Sequence, residues 1–213
     1  MLQQKQYGLS MVRLIAMTSI ILCHVAQYDG RIVCYYLNIG VWLFLFISGY
    51  LYGSKEIGDP ISFYKKRLLR ILVPYYMMLT IIVLVNLLHG ERMTMKEVLS
   101  SFLCLQWYGT TIPNCGHLWY ISCILFCYLI TPILRWFACR NRDLPLFRKW
   151  IMLAFSILML QIVYSLGGMK QATTSIVPYI LGYFIASNSE KLKKYTGGGI
   201  LSPAALQDSE CIV

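Results

Sequence analysis

The chain has 213 residues, of which 58% are hydrophobic and only 13% charged, with mean hydropathy +0.60 and a net charge of +10 from 19 Lys+Arg against 9 Asp+Glu. Soluble domains run nearer to about 45–50% apolar and about 25% charged, so these values exclude an ordinary soluble domain, a disordered chain, a collagen-like fibre and a disulfide-stapled scaffold. What they leave is a polytopic membrane protein. The cations lie between apolar stretches and form no single basic face, which argues for contact with membrane lipids and against nucleic acid.

An apolar stretch of about 17–25 residues can cross the hydrocarbon core. On that basis the pattern predicts an all-α membrane helix bundle with six spans, near 12–28, 37–53, 71–89, 117–138, 150–167 and 174–188. The first run has no cleavage site of the A-x-A kind after it and is expected to stay as a span. Residues 96–108 are apolar over too short a run to cross and are expected to form an interfacial segment. Pro132 should kink the fourth span. Residues 1–190 thus make one transmembrane domain. From about Glu190 the chain turns lysine-rich, then passes through Gly197-Gly198-Gly199 into a polar tail, so 191–213 is expected to be unstructured. Cys23, Cys123 and Cys127 lie inside apolar runs and read as small buried hydrophobes. Cys34, Cys104 and Cys115 fall on one side of the membrane and leave one disulfide open there.

Orientation follows from the Lys and Arg of alternate loops. Fifteen cations fall in one set: Lys5 and Arg13, then Lys55 to Arg70, then Arg135 to Lys149, then Lys191 to Lys194. Four fall in the other: Arg31, Arg92, Lys96 and Lys170. Both termini are therefore expected in the cytoplasm.

The first span carries no Asp, Glu, Lys or Arg between Arg13 and Asp29, but it does carry His24. Eleven residues at about 100° each bring Arg13 and His24 onto one face, separated by about 16 Å along the axis. Arg13 also suits a snorkelling anchor. An imidazole inside a span is costly and marks a functional site by default, the alternative being a hydrogen bond to a neighbouring helix. Span two contains Gly49-x-x-x-Gly53, whose usual meaning is close helix packing. At the start of span three stands Lys65-Lys66-Arg67-Leu68-Leu69-Arg70. Arg67 and Arg70 share a helix face, and two planar forks suit a phosphate better than lone lysines do. The competing reading is a positive-inside anchor on anionic lipid. Pro74 follows one turn later, where a kink would turn the arginines towards the bundle axis. Span four opens with Gly116-His117-Leu118-Trp119-Tyr120, and the topology puts His24, His89 and His117 all on the outer side.

Taken in order, these blocks resemble the membrane-bound acyltransferase-3 family, which includes bacterial O-acetyltransferases of surface glycans. Arg13 and His24 match its Arg-x10-His, and Gly40 to Gly53, with Ser48, resembles its span-two block. Arg67-Leu-Leu-Arg70 with Pro74 matches its Arg-x-x-Arg, and His117-Leu-Trp119-Tyr resembles its His-Leu-Trp-Phe. The resemblance implies transfer of an acyl group, commonly acetyl, from acetyl-CoA to a hydroxyl across the membrane. His24 would be the catalytic base, a task imidazole suits near neutral pH. Arg13, Arg67 and Arg70 would hold the CoA donor as a co-substrate, with no permanently bound cofactor and no metal. His117, Trp119 and Ser48 would line the acceptor site, for a glycan or lipid-linked sugar. Family domains carry more spans than the six counted here, and the resemblance covers about residues 8–188. The chain is accordingly expected to be a truncated N-terminal portion of the domain, with a membrane protein partner as one source of the missing helices. A non-catalytic remnant and a small polytopic transporter are the other readings the residues leave open.

Overall fold

A bilayer core offers no water to the backbone, so spanning segments must satisfy their amides internally, and helices do this within one segment. The computed structural model, which describes residues 2–55, 58–106, 110–113, 115–166 and 173–196, is helical in every regular element among those residues. In chain order the helices are α1 (Leu2–Tyr28), α2 (Val33–Leu37), α3 (Ile39–Gly53), α4 (Pro60–Leu88), α5 (Met95–Phe102), α6 (Trp119–Arg140), α7 (Leu146–Leu166), α8 (Thr173–Ser187) and α9 (Ser189–Thr196). A 3₁₀ turn, Gly116–Leu118, leads into α6.

Four stretches are long and apolar enough to cross a membrane: Tyr7–Tyr28, Val33–Gly53, Pro60–Leu88 and Gly116–Arg140. They coincide with the first four expected spans. The fifth and sixth expected spans fall on α7 and on the shorter α8. Some boundaries differ from expectation. The third helix begins at Pro60, because Asp59 caps it by accepting the Ser62 amide at 2.7 Å and proline favours the first helical position. The Lys65–Arg70 cluster therefore sits well inside α4 and not at its mouth. Both α4 and α6 run unbroken through Pro74 and Pro132. Helix continues to Thr196 in α9, past the boundary expected near residue 190, while 197–213 lies outside the described residues. No disulfide joins Cys34, Cys104 and Cys115: all three are free thiols.

Helix ends follow local chemistry. Gly30 and Gly90 each take a left-handed φ, +65° and +73°, and close α1 and α4 with paired amide bonds back to the last turn. Cys104 does the same for α5 with φ +55°, in a place where glycine is the usual residue. At its other end α5 opens with a capping box, Thr94 accepting the Glu97 amide at 3.3 Å and Glu97 accepting the Thr94 amide at 2.8 Å.

The chain divides into two compact units. One comprises Met1–Glu56, Leu134–Leu153 and Thr174–Val213, and the other Ile57–Ile133 and Ala154–Thr173. In the first, α1 and α3 pack as an antiparallel pair. Cys23 Sγ donates to Cys34 O at 3.1 Å, and a Cβ at Gly40 would lie 2.9 Å from Ser19 Cβ. On its other side α3 meets α8 through small residues. A Cβ at Gly49 would collide with the Tyr179 backbone, one at Gly53 with Tyr183 and Ala186, and one at Gly182 with the Phe46 carbonyl and the Tyr50 amide. The Gly49-x-x-x-Gly53 motif is thus a packing groove, as the sequence indicates, and α8 fills it. Contacts advance together along both helices, from Gly49 with Tyr179 to Gly53 with Tyr183, so α3 and α8 run in the same direction.

The second unit is built around Tyr75, Leu79, Ile112 and Cys115, with Leu72, Tyr76, Leu118 and Ile121 packed against them. Tyr64 Oη donates to Leu129 O at 2.9 Å, and further along α4 Tyr75 is joined through Gln106 to Ser122, earlier in α6, so α4 and α6 run antiparallel. Helix α5 lies inverted relative to a soluble amphipathic helix. Ser100 and Ser101 point inward and are buried, while Met95, Leu99 and Phe102 are exposed. That polarity suits a helix lying at the apolar boundary of a membrane, and residues 107–108 of the interfacial segment expected at 96–108 lie outside the described residues.

Candidate functional site

In the first unit, α1 buries Ala16, Cys23 and Ala26 on the stripe facing α2 and α3. Arg13 and His24 lie about a quarter-turn away from that stripe, and both are exposed. Met17 and Gln27 on the same face are exposed as well. The shared face predicted from the eleven-residue spacing is therefore present and open in this chain. It presents a guanidinium and, about 16 Å further along, an imidazole.

Ser48 lies elsewhere. Gly40 is level with Ala16, Ser19 and Ile20, and α3 runs antiparallel to α1, so Ser48 falls on the Arg13 side of that point. Along the axis it is about 22 Å from the level of His24. The side chain is 6% exposed and donates its hydroxyl to Phe44 O at 2.8 Å. The structure does not bring Ser48 to His24. Its hydroxyl is engaged within α3, beside the glycine groove.

In the second unit, Arg67 is half-buried and Arg70 exposed, one turn apart on α4. His117, in the 3₁₀ turn, is exposed, and Trp119 is half-buried with an edge contact to Tyr120 at 6.4 Å between ring centroids. The register places these groups at opposite ends. Tyr75 and Ser122 are level through Gln106. Arg67 lies about 12 Å from that level in one direction and His117 about 8 Å in the other. His89 caps the C-terminal end of α4, its Nδ1 2.9 Å from Val85 O, and so belongs to the His117 end. The unit thus carries guanidinium groups at one end and imidazoles at the other.

Between those ends lies a buried polar network that the sequence reading missed. Gln106, 2% exposed, donates Nε2 to Tyr75 Oη and accepts Ser122 Oγ–H at 2.6 Å, while Tyr75 Oη donates to Ser101 O at 2.6 Å. Tyr76 Oη donates to Phe102 O at 2.8 Å. The network fixes α5 and its following loop between α4 and α6, just inside the turn that carries His117. The signal available in the sequence was a glutamine and two serines within the otherwise apolar stretch 98–108. Burial raises the Cys104 and Cys115 thiols above the ordinary cysteine value, so both stay protonated and unreactive near neutral pH.

The family model of the acyltransferase-3 family, an acyltransferase domain, matches residues 6–206. The chain belongs to that family and is an acyltransferase-family membrane protein. No curated protein matches it, and no solved structure does.

Proposed function

We infer that this acyltransferase-3 family member is a multi-pass O-acyltransferase of a bacterial inner membrane. It takes an acyl group, acetyl in the simplest case, from cytoplasmic acyl-CoA and delivers it to a hydroxyl of an extracytoplasmic carbohydrate, a glycan or lipid-linked sugar. The observation that carries this reading is the polarity of the second unit, with Arg67 and Arg70 at one end and His117 and His89 at the other. Paired guanidinium groups hold phosphates well, and an imidazole is suited to take a proton from an attacking hydroxyl. Arg13 and His24 repeat the same polarity on α1. In this reading His24 is the base, and Arg13, Arg67 and Arg70 hold the donor. His117 and Trp119 line the acceptor side.

Six spans with both termini in the cytoplasm fit this reading, from the cation asymmetry and from the helix directions. The parallel run of α3 and α8 needs an odd number of crossings between them, which α4, α6 and α7 supply. Trp150 and Phe184, 4.7 Å apart between centroids, join the start of α7 to the end of α8 as an antiparallel pair, in keeping with that alternation.

The test is CoA release from acetyl-CoA by the purified chain in nanodiscs. His24→Ala should lower turnover at least about 100-fold, the ordinary share of general-base catalysis, with insertion unchanged. Arg67→Ala/Arg70→Ala should raise KM for the donor. Full turnover in folded His24→Ala would sink the reading. The open face around Arg13 and His24 favours a second one, in which a membrane partner covers that face and the chain turns over only in its presence. An inactive isolated chain that gains CoA release with its co-purified partner would select it.

A further inference from the structure

The first unit carries a basic cluster where the α6–α7 loop meets the α8–α9 junction, and none of its residues belongs to the arginine pair of the second unit. Lys149 Nζ donates to Asn188 Oδ1 at 2.8 Å, and Asn188 is itself fixed by donating Nδ2 to Phe184 O at 2.9 Å. Lys191 Nζ donates to the carbonyls of Arg142 and Leu144 at 2.7 and 3.2 Å. These bonds draw two ammonium groups together, and burial, with Lys191 next, depresses the Lys149 pKa. Arg142 adds a third positive charge, and Asp143 is the negative charge acting on Lys149. Like charges held close are unfavourable unless an anion joins them.

The unused donors point the same way. An ammonium has three N–H groups, so among the described residues Lys149 has two donors, and Lys191 one, beyond the bonds above. Beside Asn188, Ser189 is 1% exposed, and its Oγ has no hydrogen-bond partner among the described residues. An orphaned buried hydroxyl costs about 1–3 kcal/mol, a cost an acceptor ligand would remove. A topology anchor in headgroup water needs neither a half-buried lysine nor a buried hydroxyl.

We propose that Lys149, Lys191 and Ser189, with Arg142 at the rim, bind a phosphate group carried by an anionic lipid headgroup or by a soluble phosphorylated donor. Two ammonium groups and a hydroxyl match the three acceptor oxygens of a terminal phosphate or the two of a diester. The site is a point-charge clamp, unlike the planar forks of Arg67 and Arg70.

Two binding arms separate the sources, and neither measures turnover, so an inactive chain still answers. In the lipid arm, native mass spectrometry compares retention of phosphatidylglycerol with that of phosphatidylcholine. In the soluble arm, titration calorimetry in phosphatidylcholine nanodiscs compares CoA with phosphate-free pantetheine. Wild type should prefer the phosphate ligand in at least one arm. Lys149→Gln/Lys191→Gln should cut that preference about tenfold, as loss of charge-assisted hydrogen bonds does, and Ser189→Ala about threefold. Loss in the lipid arm identifies a headgroup, and loss in the soluble arm identifies the donor. A folded double variant with unchanged preference in both arms overturns the proposal. Should that variant fail to fold, Ser189→Ala and Lys191→Gln alone decide by the same criterion.

Discussion

In the first unit Gly49 and Gly182 let α3 and α8 close to backbone contact, whereas in the second Tyr75, Gln106 and Ser122 join α4 to α6 through buried hydrogen bonds. The contrast follows from the medium. Lipid tails are as apolar as leucine, so helices in a membrane associate through tight van der Waals packing or through hydrogen bonds between them. The glycine groove depends on shape and tolerates no added carbon. The glutamine network depends on complementary donors and acceptors, and it tolerates a size change better than the loss of one polar atom.

The largest break in that comparison should come from Gly49→Leu, which drives a side chain into the Tyr179 backbone. Overpacking of this kind should cost about 3 kcal/mol or more and appear as a lost folded fraction in detergent. Gly116→Ala, where an added Cβ meets nothing within 4 Å, should stay within about 0.5 kcal/mol of wild type. Equal losses in the two variants would remove the groove from the account of the first unit.

Next in size is Gln106→Leu, which leaves the Tyr75 and Ser122 hydroxyls without their shared amide. Interhelical hydrogen bonds in membranes are worth about 0.6–2 kcal/mol each, so thermal unfolding should shift by about 1–3 kcal/mol. The double variant Gln106→Leu/Ser122→Ala should lose less than the sum of the singles, because one deletion has already broken the shared bond. Strict additivity would show that the two groups do not act together.

Smaller still is Thr94→Ala at the start of α5, where loss of the cap should cost about 1 kcal/mol. Amide exchange of residues 95–102 should accelerate while the rest of the second unit is unchanged. The smallest effect is on pH. The Thr94 backbone amide, and then its hydroxyl, hold the Glu97 carboxyl below the ordinary glutamate value. A depressed carboxylate pKa adds stability that is fully present above the unfolded value and is lost as pH falls through the folded one. Protection of α5 should therefore be flat at neutral pH and decline only in acid below the usual glutamate range. Thr94→Ala should weaken that decline only in part, because it removes the hydroxyl and keeps the backbone amide that lowers the Glu97 pKa most.

The geometry of the candidate residues was legible where it depended on one helix. Arg13 and His24 share a face because an α-helix repeats every 3.6 residues, and both remain exposed in the fold. Arg67 and Arg70 pair for the same reason. The level of Ser48 was not legible, because its place in a motif says nothing about its height against a neighbouring helix, and antiparallel pairing with α1 puts it at the Arg13 end. Gln106 escaped notice because a polar residue in a short apolar run reads as interfacial until its partners, 16 and 31 positions away, are known.

By itself the sequence determined the helical class and the first four spans, because hydrocarbon enforces internal backbone pairing and long apolar runs have one economical solution. It also determined that Gly49 and Gly53 form a close-packing surface, because small residues at that spacing leave a groove whatever fills it. Only the tertiary structure decided that α8 fills the groove, that α5 turns its serines inward, and that Lys149 meets Asn188 and Lys191. Those outcomes join residues far apart in the chain, and local periodicity carries no record of which distant surface a helix face will meet.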